Sequence, residues 1–226
     1  MPAHALEEIL GRGSDAFRPI EEAYPELHAE WWPRFERLAA AYVVWEEARR
    51  RDIREVHPEI AGSLSIPAPE GETFRLRARA DRIEANRDGT FAIVDFKTGA
   101  PPGVKEVFAG FSPQLTLEAA MLMRGAFRDL PRSIETPRIL YVHMSGGRTP
   151  LDCREIKTPK GESRTVAEVV EEHVAKLERL VAAYMRGEAA YLSRPYPKYA
   201  RRYSDYDHLA RVKEWSLASG VEEDGA

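Results

Sequence analysis

The chain has 226 residues, 43% of them hydrophobic and 31% charged, with a net charge of −4 and a single cysteine. This composition indicates one soluble domain, with or without an appendage, and argues against a protein that coats nucleic acid through overall basicity. One cysteine excludes a disulfide framework and an iron–sulfur cluster held within this chain, and we expect a cytoplasmic protein with no secretory signal and no membrane span.

The first predicted helix runs from Ala3 to Leu10. Gly11 and Gly13 are expected to end it, because glycine is favoured just past the last turn of a helix. His4 lies at its start, and two interpretations of this residue are open. It is either a ligand to a metal or phosphate at the rim of a site, or a solvated histidine near the chain terminus.

A longer helical segment, or two, is predicted from Ala23 to Arg51. Its apolar residues recur at steps of three and four, which is the spacing of one helix face. Pro33 lies inside the segment and predicts a kink or a restart. Aromatic residues in this pattern are able to stack on nucleic-acid bases, but their helical spacing favours a place in the core.

A β-hairpin is predicted from Phe74 to Lys97, after a strand from Glu55 to Pro67. Its first strand alternates polar and apolar residues, as half-buried strands do. The polar residues that share one face of it are Arg75, Arg77, Arg79 and Asp81. A turn is predicted at residues 86–89, so the chain folds back and brings Asp81 opposite Val94 or Asp95.

The second strand of this hairpin carries the strongest chemical signal. Apolar residues 91–94 run into Asp95, Phe96, Lys97 and a turn, which predicts a buried strand whose end emerges at a site. Because side chains alternate between faces, Asp95 and Lys97 project together, about 6–7 Å apart along the strand, and Phe96 points into packing. Two carboxylates on adjacent strands repel unless a positive charge lies between them, and their oxygens suit Mg²⁺ or Mn²⁺. The alternative is a solvated ion pair of little consequence.

A loop with Lys105 is predicted over residues 98–111, and Ser112 and Pro113 then begin a helix. Gln114 and Glu118 share one face of that helix, and the apolar residues face the sheet. The amide of Gln114 is able to orient a phosphate or a water, or is simply exposed at a helix start.

Two further strands are predicted from Arg138 to His143, in the interior of the sheet, and from Leu151 to Ile156. Thr165 to Glu168 is a capping box that begins a final long helix, which Gly187 ends. Residues 194–203 then interleave basic residues with tyrosines. That mixture suits single-stranded nucleic acid, or else a tail that packs its rings on the domain.

The ordered motifs resemble the RecB-like branch of the PD-(D/E)xK nuclease superfamily. Members read roughly as Gly-x-x-Asp-Arg-Ile-Asp, then Val-x-Asp-Tyr-Lys-Thr-Gly, then Gln-Leu-x-x-Tyr. Here Ala78 replaces the first glycine, Phe96 the tyrosine and Glu118 the later tyrosine, and no catalytic acid or lysine is changed. An upstream histidine followed by leucine and acids is also typical of the family, and His4 matches it.

The tail refines this resemblance. Residues 204–216 look like the C-terminal end of AddB-type subunits, which belong to bacterial helicase–nucleases that process double-strand DNA breaks. The resemblance therefore implies a PD-(D/E)xK nuclease domain over residues 1–192 and a basic and aromatic extension over 193–217 that packs on it. The end, residues 218–226, is rich in glycine and acids and is expected to be a disordered tail. The implied fold class is α/β, with a restriction-endonuclease-like core in which a mixed central sheet is flanked by helices.

The resemblance also implies the activity and the site. The chain would be a Mg²⁺- or Mn²⁺-dependent deoxyribonuclease, an exonuclease that acts on DNA in double-strand break repair and recombination with an AddA-type helicase–nuclease partner subunit. The implied catalytic residues are Asp81, Asp95, Lys97 and Gln114. The implied metal ligands are His4, Asp81, Asp95 and the backbone carbonyl of Phe96. The candidate DNA-binding residues are Arg79, Lys105, Lys198, Arg201 and Arg202.

Two other functional classes are open. One is a nuclease fold that binds DNA or acts as a scaffold in such a complex, with weak or no cleavage. The other is a small-molecule metallohydrolase on an α/β sheet, which would hydrolyse model phosphoesters without affinity for DNA. The intact set of two acids and a lysine argues against the first class, and the basic tyrosine-rich tail disfavours the second.

Overall fold

A computed structural model of the protein describes residues 4–191. The chain divides into two compact units, Met1–Arg179 and Leu180–Ala226, and the sheet lies in the first. The predicted basic and aromatic extension and the predicted disordered end lie outside the described residues, as do Lys198, Arg201 and Arg202. The predicted domain boundaries at residues 192 and 217 remain predictions.

The order of the described helices and strands agrees closely with the sequence prediction. They are α1 (Ala5–Ala23), α2 (Pro25–Arg49), β1 (Ile53–Pro67), β2 (Thr73–Asn86), β3 (Phe91–Lys97), α3 (Val104–Ala109), α4 (Gln114–Met123), β4 (Arg138–Met144), β5 (Leu151–Glu155) and α5 (Val166–Met185). A short 3₁₀ turn, Pro69–Gly71, joins β1 to β2.

The five strands form one mixed sheet in the order β1-β2-β3-β4-β5. Strands β3 and β4 are parallel, and every other neighbouring pair is antiparallel. Such a parallel pair needs a crossover, which the segment containing α3 and α4 provides. The predicted hairpin, the interior position of β4 and the return strand β5 are confirmed, and so is the mixed sheet.

Helices cover both faces of this sheet. On one face, side chains of β2, β3 and β4 form a core with α4 and with residues 169–174 of α5. On the other face, a smaller cluster around Val94 and Val142 packs against Trp45 of α2. Phe96 belongs to the second cluster, and its ring lies 6.1 Å from that of Trp45, so the predicted inward direction of Phe96 is confirmed.

The second face also holds a buried network of ion pairs. Arg82 donates to Glu46 at 2.7 Å and to Glu84 at 2.8 Å, and all three side chains are at most 5% exposed. Arg49 pairs with Glu84, and Arg50 with Glu46. These contacts join the end of α2 to β2 at the residue that directly follows Asp81.

The first helix differs from the prediction, because α1 continues through both glycines to Ala23. Gly13 is buried where α1 crosses α2, and a Cβ atom there would lie 2.2 Å from Cε1 of Phe35. A glycine at such a crossing permits a close approach, so it does not end the helix.

The second helix is continuous through Pro33, so the predicted restart is wrong. Its N-terminal part is also less buried than predicted, since Leu27 is 38% and Trp31 47% exposed. In this part α2 packs against α1, through rings such as Phe17 and Trp32, which lie 5.6 Å apart. Helical spacing identified the apolar face but not how much of it would be covered.

The predicted loop over residues 98–111 contains the short helix α3. Glu106 accepts a hydrogen bond from the N–H of Gly103 at 2.8 Å, and Gly110, with φ at +87°, ends the helix. The capping box of α5 is confirmed, because Thr165 Oγ1 accepts from the N–H of Glu168 while Glu168 accepts from the N–H of Thr165. Gly187 follows the helix with φ at +71°.

Candidate active site

The candidate site lies at the C-terminal end of β3. Asp95 follows four fully or nearly buried strand residues and is itself only 2% exposed. Strand β4 runs parallel beside it, with Tyr141 opposite Asp95. Since β2 is antiparallel on the other side, the middle of β2 meets the same end of β3. Side chains of β2, β3 and β4 therefore lie next to one another at the C-terminal end of β3.

Asp95 makes most of the polar contacts at this strand end. The Nζ atom of Lys97 lies 3.0 Å from its Oδ1 and 2.8 Å from its Oδ2. The Nε2 atom of Gln114 donates to the same Oδ1 at 3.0 Å. The predicted projection of Asp95 and Lys97 to one side is confirmed, and the first residue of α4 joins them.

The second predicted acid, Asp81, reaches the same strand end. Arg82 pairs with Val94, and continuing that register by one residue places Asp81 opposite Asp95. The carboxylate of Asp81 accepts a hydrogen bond from the N–H of Phe96 at 2.9 Å. That bond fixes the Asp81 side chain across the end of β3, next to Asp95.

Glu118 is a site residue that the sequence reasoning did not assign to the site. Its side chain is 3% exposed, and its Oε1 accepts from Nε2 of Gln114 at 3.2 Å. One amide nitrogen thus joins the carboxylates of Asp95 and Glu118. The spacing of four residues on α4 was the available signal, since it places Glu118 one turn from Gln114.

The surroundings shift the titration of these acids. Burial raises the pKa of Glu118 to about 7, and the charges of Asp95 and Asp81 act in the same direction, against the hydrogen bond from Gln114. Burial also raises the pKa of Asp95, with the Lys97 ammonium acting in the opposite direction. A carboxyl with a pKa near neutrality is a feature of functional sites as well as of buried networks.

Tyr141 closes the inner wall of the site. Its side chain is 1% exposed, and burial, together with the charges of Asp95 and Glu118, raises the pKa of its phenol. A phenol is protonated at neutral pH even at its ordinary pKa of about 10, so Tyr141 adds no negative charge beside the acids.

Three other predicted residues lie apart from these contacts. His4 precedes α1, is 81% exposed, and its Nδ1 lies 3.0 Å from the carboxylate of Glu7. Arg79 lies on β2, two residues before Asp81, and pairs with Glu59 at 2.9 Å. Lys105 is exposed in the first turn of α3. Their roles in metal or DNA binding remain predictions.

The donor set is compatible with a divalent cation. Glu118 Oε2 is buried and receives no hydrogen bond from residues 4–191, and Asp95 Oδ2, which is buried beside it in the site, has its ion pair with Lys97 at 2.8 Å. Buried carboxylate oxygens suit Mg²⁺ or Mn²⁺, because both cations prefer carboxylate ligands. In the described part of the chain, however, no three His, Cys, Asp or Glu side chains are grouped closely enough to hold a metal.

Helices long and apolar enough for a bilayer do not occur between residues 4 and 191.

A family model described as "PD-(D/E)XK nuclease superfamily" matches residues 2–206. An uncharacterized protein of Rickettsia bellii is 27% identical over 191 residues, which are 79% of this chain and 22% of that protein. An uncharacterized protein of Rickettsia felis is 25% identical over 206 residues, 80% of this chain and 24% of that protein. The chain thus spans less than a quarter of the length of these relatives.

Among solved structures, "Crystal structure of SSO0001" aligns with 78% of this chain and 84% of that one, at 15% identity and a TM-score of 0.34. The mixed five-stranded sheet with flanking helices is consistent with a restriction-endonuclease-like α/β fold of the matched superfamily.

Proposed function

Because the chain belongs to the PD-(D/E)XK nuclease superfamily, we propose that it hydrolyses phosphodiester bonds of DNA with Mg²⁺ or Mn²⁺ as cofactor. The observation that carries the proposal is the contact of Asp95 with both Lys97 and Gln114, beside Asp81, at one strand end. Two acids and a lysine in this arrangement supply both cation ligands and a positive charge for a phosphate.

Each residue has a defined part in this proposal. Asp81 and Asp95, with the backbone carbonyl of Phe96, are the proposed cation ligands. A divalent cation bound there would polarise a phosphoryl oxygen and lower the pKa of a bound water. Gln114 holds Asp95 in place, and the N–H of Phe96 holds Asp81. His4 remains a proposed additional ligand.

Lys97 is proposed to stabilise the negative charge that develops on the phosphate. Its side chain is 36% exposed, whereas that of Asp95 is 2% exposed, so the ammonium lies on the solvent side of the acid. A fixed positive charge where negative charge develops is among the largest contributions that a site makes to catalysis.

The test is cleavage of linear single-stranded and double-stranded DNA with Mg²⁺, with Mn²⁺ and with EDTA. We expect metal-dependent cleavage by the parent protein and its loss in Lys97→Ala. Lys157→Ala removes an exposed lysine two residues after the end of β5 and should cleave like the parent. Equal cleavage by the two lysine variants, or cleavage that survives EDTA, would contradict the proposal.

We further propose that the chain acts as an exonuclease in double-strand break repair, in a helicase–nuclease complex with an AddA-type partner. The support is the likeness of residues 204–216 to the C-terminal end of AddB-type subunits. Copurification with an AddA-type subunit and ATP-stimulated degradation of linear DNA from its ends are expected. If neither copurification nor ATP-stimulated degradation is observed, the proposed complex is contradicted. The proposed nuclease activity of the chain is then unaffected.

One observation favours a second candidate, a catalytically weak module that binds DNA for its complex. The described residues do not bring three metal-ligating side chains together. This candidate predicts DNA binding without metal-dependent cleavage, both alone and with a partner subunit. Cleavage lost in Lys97→Ala would exclude it.

A further inference from the structure

Strands β1 and β2 extend well beyond the rest of the sheet as a two-stranded ribbon. They pair from Ile53 and Asn86 as far as Pro67 and Thr73, whereas β3 pairs with β2 only over Arg82–Ala85. In residues 73–80, β2 therefore has β1 as its sheet neighbour. This ribbon leads directly into Asp81.

One face of the ribbon packs on the protein. Ile60 and Leu64 of β1, with Leu76 and Ala78 of β2, lie against the main core. The N–H of Ser63 also donates to the carbonyl of Ala126 at 2.8 Å. These contacts hold the ribbon in place, so its other face is presented to solvent on a supported element.

The solvent face carries a row of arginines. Arg75, Arg77 and Arg79 are exposed and occupy alternate positions of β2, which puts them on the same side of the strand. The residues paired with them on β1 are Ser65, Ser63 and Ala61, all exposed. The directly opposite positions therefore offer hydroxyl groups and a methyl group but no acid.

Most of the charge in this row is available to a ligand. Within the described residues, Arg75 and Arg77 have no ion pair or hydrogen bond from their side chains. Arg79 pairs with Glu59, but both side chains are more than half exposed, at 68% and 59%, and exposed pairs of this kind are weak. A phosphate is able to replace the carboxylate of Glu59.

A groove beside the row adds to the same surface. It has a volume of about 1220 Å³ and is lined by Arg77, Arg79 and Arg128, as well as by Glu59 and Asp129. Cations thus outnumber acids here, although the whole chain carries a net charge of −4. Two of these three arginines, Arg77 and Arg79, belong to β2, the strand that leads to the site.

We propose that this arginine row (Arg75, Arg77 and Arg79) binds the sugar–phosphate backbone of the nucleic acid that the site cleaves. The inference rests on the proposed function and names the surface along which the substrate approaches. Four strand steps from Arg75 to Arg79 span about 13 Å, and a DNA strand passes one phosphate about every 3.4 Å along its helix axis. The row ends two residues before Asp81, so a backbone held along it reaches the acids.

Guanidinium groups suit this task because they donate two hydrogen bonds to a phosphate, and Ser63 and Ser65 are further donors. Contacts of this kind position a strand without reading its sequence. The row therefore predicts binding that depends strongly on salt and weakly on base sequence.

The test is fluorescence anisotropy with labelled single-stranded and double-stranded oligonucleotides in EDTA, over a range of NaCl concentrations. In Arg75→Gln/Arg77→Gln, we expect the slope of log affinity against log salt to fall by about 1 to 2, since each phosphate contact contributes about 0.7 to 0.9. Affinity at low salt should fall at least about tenfold. Arg75→Lys/Arg77→Lys keeps the charge and should keep most of the slope.

The matched control is Arg154→Gln/Lys157→Gln, which removes two exposed charges, one on β5 and one two residues after it, at the opposite edge of the sheet. It should bind like the parent. If the ribbon variant binds with the parent slope and affinity, or if the control loses as much as the ribbon variant, the proposal is overturned.

A second readout separates this proposal from the proposed nuclease activity. Bis(p-nitrophenyl) phosphate is a phosphodiester too small to extend along the row, so the ribbon variant should hydrolyse it as the parent does. For long DNA its KM should rise while kcat changes little. If the parent hydrolyses neither substrate, the nuclease proposal fails, and the anisotropy measurements still decide whether the row binds DNA.

Discussion

At the residue scale, a single amide organises the acids of the site. Gln114 donates from the same nitrogen to Asp95 and to Glu118, so it holds two carboxylates in fixed positions. Side chains that orient a metal ligand typically contribute about 10- to 100-fold to metal affinity or activity.

We therefore expect Gln114→Ala to lower metal-dependent cleavage about 10- to 100-fold, with most of the loss recovered at high Mn²⁺ concentration. Asn86→Ala is the control, because it removes an amide that bonds to Thr90 in the turn at the other end of β3. If the two variants have equal cleavage rates at every Mn²⁺ concentration, Gln114 does not position the site.

Glu118 gives a prediction on stability. Its pKa is about 7 in the folded protein, against an ordinary value of 4.5, so the folded state keeps a proton that the unfolded state releases. The free energy of unfolding should therefore fall as pH rises from about 4.5 to 7, by on the order of 3 kcal/mol. Urea unfolding in EDTA at several pH values measures this change.

The matched variant is Glu118→Gln, which keeps the shape of the side chain but does not titrate. Its free energy of unfolding should lack that part of the decrease between pH 4.5 and 7. Parallel pH profiles for the parent and the variant would show that Glu118 does not retain a proton on folding.

Sequence reasoning at this scale found the residues that carry a local pattern. Asp81, Asp95 and Lys97 follow from strand alternation and a turn, whereas Gln114 was assigned to the site by the resemblance to the PD-(D/E)xK nucleases. Glu118 was missed because its burial depends on how α4 packs on the sheet, which helical spacing alone does not determine. Its charge also favoured an exposed position, whereas the structure buries it beside other polar groups.

At the element scale, close packing explains features that local signals misread. The two glycines of α1 have different surroundings. An added Cβ at Gly13 would lie 2.2 Å from the ring of Phe35, whereas at Gly11 it would meet no atom within 4 Å. The ring of Phe35 is itself packed against Phe17 and Trp32, at 5.7 and 5.5 Å.

These surroundings predict opposite effects of the same substitution. Gly13→Ala should destabilise the protein by about 1–3 kcal/mol through overpacking. Gly11→Ala should stabilise it by up to about 1 kcal/mol, because alanine favours a helix. Chemical denaturation measures the change in the free energy of unfolding for each variant. Equal changes in the two variants would contradict the close crossing of α1 and α2 at Gly13.

The ion-pair network between α2 and β2 gives a further prediction. Arg82→Met should destabilise the protein by about 3–5 kcal/mol, because it removes a buried cationic partner from each of two buried carboxylates, Glu46 and Glu84. Arg34→Met removes an exposed pair with Glu30 and should cost less than about 1 kcal/mol. Thermal or urea unfolding distinguishes the two, and a small effect at Arg82 would show that the network is not needed for folding.

At the scale of the whole molecule, the sheet was predictable because each strand carries its own signal. Alternation marks β2, apolar runs mark β3 and β4, and turn residues separate them. The helices were less predictable, since the ends and the buried faces of α1 and α2 depend on their contact with each other. Helix α3 was assigned to a loop because six residues are too few to show a helical period.

At the same scale, we propose that the acids at the end of β3 form a metal-dependent nuclease site. The most direct measurement is the rate of Mg²⁺-dependent cleavage of linear DNA by Asp95→Asn beside Asp152→Asn, which neutralises a half-exposed acid on β5. We expect Asp95→Asn to lose cleavage and Asp152→Asn to retain it, with both variants folded. Cleavage by Asp95→Asn at the parent rate would contradict the site.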